Sequence, residues 1–242
     1  LDPIESFSAS EFVEQATRLI NVAHSKGKLP VLVGGTILYF KALAEGLATM
    51  PKANPALRRE IERQAEQEGW PALHEKLSKL DPASGRRLKP LDQQRIQRAL
   101  EVVLSTGKSI ETFWHEQTSK EHPWEIIPLA LMPKDRSWLH KRIEQRFDLM
   151  IAEGFQHEVE RLRASGDLHL DLPSVRCVGY RQMWQYLDGD YDWEVMKFKS
   201  VVATRQLAKR QMTWLRGWQN ATVLDPEDQN IFDKTLALIN TI

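Results

Sequence analysis

LPVLVGGTILYFKALAEGL, residues 29–47, is the stretch that decides the fold class. Pro30-Val31-Leu32-Val33 is an apolar run with no polar alternation, the pattern of a strand buried on both faces. Gly34-Gly35-Thr36 follows as a tight turn, and Ile37 to Leu47 resumes helical spacing. Upstream, Ser8-Ala9-Ser10-Glu11 has capping-box spacing, and Phe12, Ala16, Ile20 and Ala23 recur at helical intervals until Gly27. Helix, buried strand, glycine turn and helix predict a piece of a parallel α/β sheet.

Downstream the pattern changes. From Asn54 to about Lys120 no strand is evident. Pro55 opens a helix carrying Leu57, Ile61 and Ala65, closed by Gly69, and further helices are predicted at Trp70–Leu80 and Gln93–Thr106. Residues 49–122 therefore read as an all-helical insertion, with 1–48 and 123–242 forming the α/β core. Glu125–Met132 (EIIPLALM) returns the chain to the sheet, and Asp135 caps a helix with an apolar stripe at Leu139, Ile143, Phe147 and Met150. Helices are predicted at Phe155–Ala164, Val175–Leu187 and Trp193–Trp218, a last strand at Ala221–Asp225, and a terminal helix at Ile231–Ile242.

The 242 residues carry 33 basic and 33 acidic side chains, so overall charge does not announce a polyanion binder. A single cysteine, Cys177, excludes an internal disulfide and favours a reducing, cytoplasmic setting. No stretch approaches the roughly 20 apolar residues that span a bilayer. The seven histidines show no metal-ligand spacing, so no metal ligand is assigned in this chain.

Several segments could carry chemistry, each with a structural alternative. The Gly34-Gly35-Thr36 turn, at the end of a parallel strand, suits close backbone approach to a ligand, or is only a turn. It does not match GxxxxGK[ST], and no other stretch does. Arg146 lies about 60° from the centre of the Leu139–Met150 stripe, taking roughly 100° per residue. Aimed towards the interior it needs an anionic partner, either a core carboxylate or a bound phosphate. Between Lys197 and Arg216 there are six basic residues and no acidic one. There Arg205, Lys209 and Arg216 oppose a stripe of Ala203, Leu207, Gln211, Trp214 and Trp218, forming an RNA-facing or merely solvated face. Arg176-Cys177-Val178-Gly179-Tyr180-Arg181 puts two arginines, a tyrosine and a glycine at a predicted helix start, suited to phosphate contact and base stacking. Asp92-Gln93-Gln94-Arg95 opens a helix with base-edge-reading groups or with simple capping.

Five stretches resemble the bacterial tRNA dimethylallyltransferase (tRNA isopentenyltransferase) family, in that family's order. They are LPVLVGGTILYFKALAEGL, LDQQRIQRALEV with STGKS, HKRIEQRFDLMIAEGF, LPSVRCVGYRQMWQYLDG and TRQLAKRQMTWLRGW. The resemblance implies an α/β fold with a P-loop-NTPase-like parallel sheet core flanked by helices, and with an inserted all-helical lobe. It implies transfer of a dimethylallyl group from dimethylallyl diphosphate to the exocyclic amine of the adenine 3′-adjacent to the anticodon. Mg²⁺ is the expected cofactor, ATP-type nucleotide binding goes with the fold class, and the expected protein is a cytoplasmic monomer with no membrane partner.

Carried over by position, Arg146 matches the diphosphate-binding, catalytic arginine. Gly35 and Thr36 fall beside the tRNA substrate, as do Gln93, Gln94, Arg95, Ile96 and Gln97. Arg176, Cys177, Val178, Gly179, Tyr180 and Arg181 match another tRNA-contacting stretch, and Leu57 and Arg58 lie near the tRNA by analogy. The insertion would then grip the anticodon stem-loop while the core holds the base. The family pattern also opens with a strand, a P-loop and a helix, then a strand followed by a general-base aspartate. None of this appears after Leu1, and such a unit takes at least ~30 residues. Residues 1–242 are therefore expected to be inactive by themselves. A P-loop small-molecule kinase-like enzyme, a noncatalytic tRNA-binding protein and an α/β scaffold with a basic helix remain as alternatives.

Overall fold

The computed structural model describes residues 1–48, 50–116 and 123–240. In chain order the elements are α1 (Ala9–Ser25), α2 (Ile37–Glu45), α3 (Pro55–Glu68), α4 (Trp70–Leu80), α5 (Pro82–Arg87), α6 (Gln93–Thr106) and α7 (Ile110–His115). They continue with β1 (Leu129–Leu131), α8 (Arg136–Ala152), α9 (Phe155–Ala164), α10 (Tyr180–Leu187), α11 (Trp193–Arg216), β2 (Thr222–Leu224) and α12 (Ile231–Ile239). The chain divides into two compact units, residues 1–40 with 124–242, and residues 41–123. No helix among the described residues is long and apolar enough to cross a membrane.

Local signals explain most helix ends. Ser8 caps α1 by accepting from Glu11 N while the Glu11 carboxylate accepts from Ser8 N at 2.7 Å. Asn54 accepts from the Ala56 and Leu57 amides, with Pro55 in the first turn of α3. Asp135 caps α8 through Ser137 N at 2.8 Å, and the Ser137 hydroxyl, followed by that amide, holds its carboxyl below the ordinary carboxylate range. The helices expected at Trp70–Leu80, Gln93–Thr106 and Phe155–Ala164 form with those bounds. The last helix ends at Ile239, and the final two residues of the expected Ile231–Ile242 element lie outside the described residues, as do 49 and 117–122 of the expected insertion.

In the larger unit β1 and β2 run parallel, Leu129 opposite Thr222, Ala130 opposite Val223 and Leu131 opposite Leu224. The return of the chain at 125–132 and the last strand at 221–225 thus meet side by side. The core beside them is helical. Ile143 and Phe147 of α8, Phe155 and Val159 of α9, Met183 and Trp184 of α10 and Met196 and Val201 of α11 form one buried cluster. Each such side chain contributes roughly 1.5–3 kcal/mol when fully buried. The smaller unit buries Ile61 and Ala65 of α3, Leu73 and Leu77 of α4, and Ile96, Ala99, Leu100 and Val103 of α6.

Four expectations need correcting. Pro30–Val33 is not a buried strand: Val31 is 68% and Val33 91% exposed. A run without alternation needs protein on both faces and a hydrogen-bonded neighbour, and the described residues supply neither. The parallel sheet among the described residues has two strands, so a full P-loop-type sheet is not seen. The helix expected to start at Val175 starts at Tyr180, because Gly179 sits at φ +90°, outside the helical region. Finally, α11 buries Met196, Ser200, Val201 and Met212, a stripe offset from the expected Ala203, Leu207, Gln211, Trp214 and Trp218.

Ile96 is fully buried in the helical core. Ile96→Ala is expected to destabilise that unit by about 2–5 kcal/mol, the cost of a core cavity. Urea unfolding measures this, and a change below about 1 kcal/mol would contradict the placement.

Candidate functional site

The site residues of the larger unit are arranged around α11. Gln211 Nε2 donates to the carbonyl of Gly35 at 2.8 Å. A Cβ at Gly35 would fall 2.4 Å from that same Nε2, so a larger residue there would push the flexible Gln211 side chain aside and break this hydrogen bond. Thr36 is exposed, and its carbonyl accepts from Tyr39 N at 2.9 Å as α2 begins. The turn is braced from the other side. Tyr39 donates its hydroxyl to Phe7 O at 2.8 Å and stacks on Phe12, with ring centroids 4.9 Å apart.

Further along, α11 pairs with α8. Lys197 Nζ lies 2.7 Å from Asp148 Oδ1, and Arg205 binds Glu144. These partly exposed pairs are each worth about 0–1 kcal/mol, so they set register, while Ile143, Phe147, Met196 and Val201 hold the helices together. Lys199 sits over the Tyr191 ring at 4.0 Å. Three of the six basic residues of α11 are therefore engaged internally. Lys209, Arg210 and Arg216 are exposed. The expected basic face thus loses Arg205, whose Nε is buried without a hydrogen-bond partner among the described residues.

Arg146 corrects a second reading. It is exposed on α8 and does not point into the core, because the buried positions are Ile143 and Phe147. Among the described residues it has no ion-pair partner, so the core-carboxylate alternative is absent there, while Glu144 and Asp148 on the same helix are both paired. An unpaired guanidinium held on a packed helix can accept an incoming anion without first breaking a bond.

The segment 176–181 rests on α8 and α9. Gly179 is buried at φ +90°, where a Cβ would touch Phe155 at 3.5 Å and Phe147 at 3.8 Å. Its N–H donates to Gln182 Oε1 at 2.8 Å, closing the first turn of α10. Arg176 and Cys177 are exposed, and Val178 is half-buried. Arg181 reaches Leu170 O at 3.5 Å. Tyr180 turns inward, its ring edge-on to Phe155 at 5.0 Å and its hydroxyl donating to Glu158 at 2.6 Å. Burial, reinforced by Glu158, pushes its pKa up from 10.0 to about 12. The ring is thus held by protein in this structure, which leaves Arg176 as the exposed arginine of the segment, with Arg181 half-buried beside it.

In the smaller unit, two candidate stretches far apart in sequence meet. Gln97 Nε2 donates to Glu62 Oε1 at 2.8 Å and approaches Arg58 O at 3.5 Å, joining α6 to α3. Gln93, Gln94 and Arg95 are exposed at the start of α6, and Leu57 packs partly against the core. Ile96 is a correction, since its side chain is wholly buried and faces the core. Asp92 occupies the N-cap position but makes no cap hydrogen bond, because its carboxylate binds Arg95 Nη1 at 2.7 Å instead.

Arg58 donates to the buried Glu101, which the sequence reading missed. A signal was present: an acid inside the apolar run Ala99–Val103 with Arg98 three residues before it. Gln211 was missed as a support as well; its signal is a lone polar residue in an otherwise apolar stripe. Among the described residues no three His, Cys, Asp or Glu side chains converge as metal ligands.

Residues 1–218 match the family described as IPP transferase. The structure is similar to that of a full-length tRNA isopentenylpyrophosphate transferase from Bacillus halodurans, with 35% identity and a TM-score of 0.64 over 100% of this chain and 74% of that one. A tRNA isopentenylpyrophosphate transferase from Staphylococcus epidermidis matches at 27% identity and a TM-score of 0.63, over 100% and 78% of the two chains. A eukaryotic dimethylallyltransferase acting on tRNA shares the fold at 23% identity and a TM-score of 0.77, over 99% of this chain and 63% of that one.

The raised pKa of Tyr180 links folding to alkaline pH. The folded state holds the phenol proton more tightly than the unfolded chain, so this stabilisation is complete below the unfolded value of 10.0 and is lost as pH rises towards about 12. Tyr180→Phe is expected to flatten the fall in stability across that window, measured by urea unfolding at a series of pH values. An unchanged slope would show that the hydroxyl is not held as described.

Proposed function

Since the chain belongs to the IPP transferase family, we propose that it transfers a dimethylallyl group from dimethylallyl diphosphate to the exocyclic amine of the adenine 3′-adjacent to the anticodon of tRNA. The observation in this chain that carries the reading is Arg146: an exposed guanidinium, unpaired among the described residues, at the position the resemblance gives to diphosphate binding.

In this reaction the bond between the allylic carbon and the diphosphate oxygen breaks, and its electron pair leaves with the diphosphate. The adenine nitrogen forms the new bond to carbon and gives up one proton to a base. Charge develops on the leaving diphosphate, so a fixed cationic donor lowers the barrier more than it aids substrate binding. Arg146 supplies that donor. The Gly35 and Thr36 turn, pinned by Gln211, offers close backbone approach for the adenine, which must leave its stack to be reached.

RNA contacts are assigned to polar side chains of the candidate segments in each unit taken separately. Arg176 and Arg181 serve in the larger one, and Arg58, Gln93, Gln94, Arg95 and Gln97 in the smaller one. Ile96, Val178 and Tyr180 shape these segments from inside, and Leu57 does so from the core edge. The described residues do not by themselves fit a Mg²⁺ site, since no carboxylate cluster is present among them. An ion bound mainly by diphosphate oxygens would need few protein ligands.

The test is a transfer assay on the full-length protein with dimethylallyl diphosphate, Mg²⁺ and an anticodon stem-loop, read as gain of one five-carbon unit on the RNA. Arg146→Ala is expected to lower the rate about 10²–10³-fold with RNA affinity unchanged; an unaltered rate sinks that assignment. RNA bound without transfer by the wild type would favour the noncatalytic RNA-binding reading. Arg176→Gln with Arg181→Gln should weaken RNA binding and lower its salt slope by roughly 0.7–0.9 per lost phosphate contact. A slope equal to that of the wild type would remove both from the RNA surface.

A further inference from the structure

Glu101, at the middle of α6, is 1% exposed and is the most enclosed carboxylate of the helical unit's described residues. Its Oε1 accepts from Asn54 N at 2.6 Å and Arg58 Nε at 3.1 Å. Its Oε2 accepts from Arg58 Nη2 at 3.1 Å and Arg98 Nη1 at 2.5 Å. Arg98 Nη2 donates onward to Pro51 O at 2.8 Å. One buried carboxylate thereby gathers residues 51–58, including the N-cap and first turn of α3.

Arg58 is held side-on, through Nε and Nη2. Its Nη1 makes no hydrogen bond among the described residues, and its side chain is 40% exposed. A guanidinium is a rigid plane with five N–H donors, so fixing one edge aims the other. Without Glu101 the same side chain would sample many rotamers, and binding through it would cost that freedom. Arg98 and the Asn54 amide also serve the carboxylate, so the pair need not break when Nη1 meets an acceptor.

We propose that Glu101 is a positioning residue for RNA recognition, fixing Arg58 so that its free Nη1 edge meets a phosphate of the anticodon stem-loop. The inference rests on the functional reading above. It makes a prediction opposite in sign to simple charge competition: if Glu101 merely neutralised Arg58, removing the carboxylate would tighten RNA binding.

Binding is read by anisotropy of a labelled anticodon stem-loop on the full-length protein, without dimethylallyl diphosphate. Glu101→Gln is expected to raise Kd about tenfold, the worth of one oriented charged hydrogen bond, and to lower the salt slope by roughly 0.7–0.9. The rate at saturating RNA and the KM for dimethylallyl diphosphate should stay as in the wild type, which a general folding defect would not allow. Arg58→Gln should give the same loss, and the double variant should bind no worse than Arg58→Gln alone. An equal or tighter Kd for Glu101→Gln, or additive losses in the double variant, would overturn the proposal.

Should Glu101→Gln fail to fold, Arg58→Lys carries the test, since it keeps the charge but cannot be gripped side-on. A tenfold weaker Kd at an unchanged salt slope supports positioning; an unchanged Kd overturns it. A wild type that binds the stem-loop yet transfers nothing overturns the functional reading only, and the binding comparison still decides the role of Glu101.

Discussion

In the larger unit the constraint on which the site depends is that a single helix, α11, must satisfy several neighbours at once. Its 24 residues bury Met196, Val201 and Met212 in or beside the core, pair Lys197 and Arg205 with α8, and extend Gln211 to the carbonyl of Gly35. The apolar contacts supply the energy and the ion pairs fix the register. Because the Gly35 turn and Arg146 are both carried by partners of α11, a slip along that helix would displace both.

The smaller unit solves a different problem. A carboxylate buried as deeply as Glu101 would cost several kcal/mol if left uncompensated. Burial pushes its pKa up, but the hydrogen bonds from Arg58, Arg98 and the Asn54 amide outweigh this and hold it below the ordinary range. The charge is retained at neutral pH, and with it a defined geometry for Arg58. A hydrophobic residue at position 101 could pack α6 equally well, but it would leave two guanidinium groups and a helix N-terminus without their acceptor.

The helices were legible because their signals are local. The capping box at Ser8 and Glu11, Pro55 after Asn54, the Asp135 cap and the 3.6-residue periodicity of Phe155–Ala164 each act within one or two turns. The meeting of 129–131 with 222–224 was legible as two short strands, though their pairing was not. The Pro30–Val33 run misled for the converse reason. Apolar composition says that a segment can be buried, but burial requires neighbours, and no residue within that run encodes them.

Family, most helix positions and the candidate stretches were thus set by the sequence itself, through local periodicity and motif order. Which of the charges remain available was decided only by tertiary structure. Arg58 and Arg146 look alike along the chain, yet one is gripped by a carboxylate 43 residues away and the other faces solvent. Tyr180 and Arg176 share one motif, yet Gly179 at φ +90° turns the tyrosine onto Glu158 and leaves the arginine outside. The physical reason is common to both pairs. The state of a charged or polar group depends on the partner it meets and on the water it loses, and both are set by residues distant in sequence.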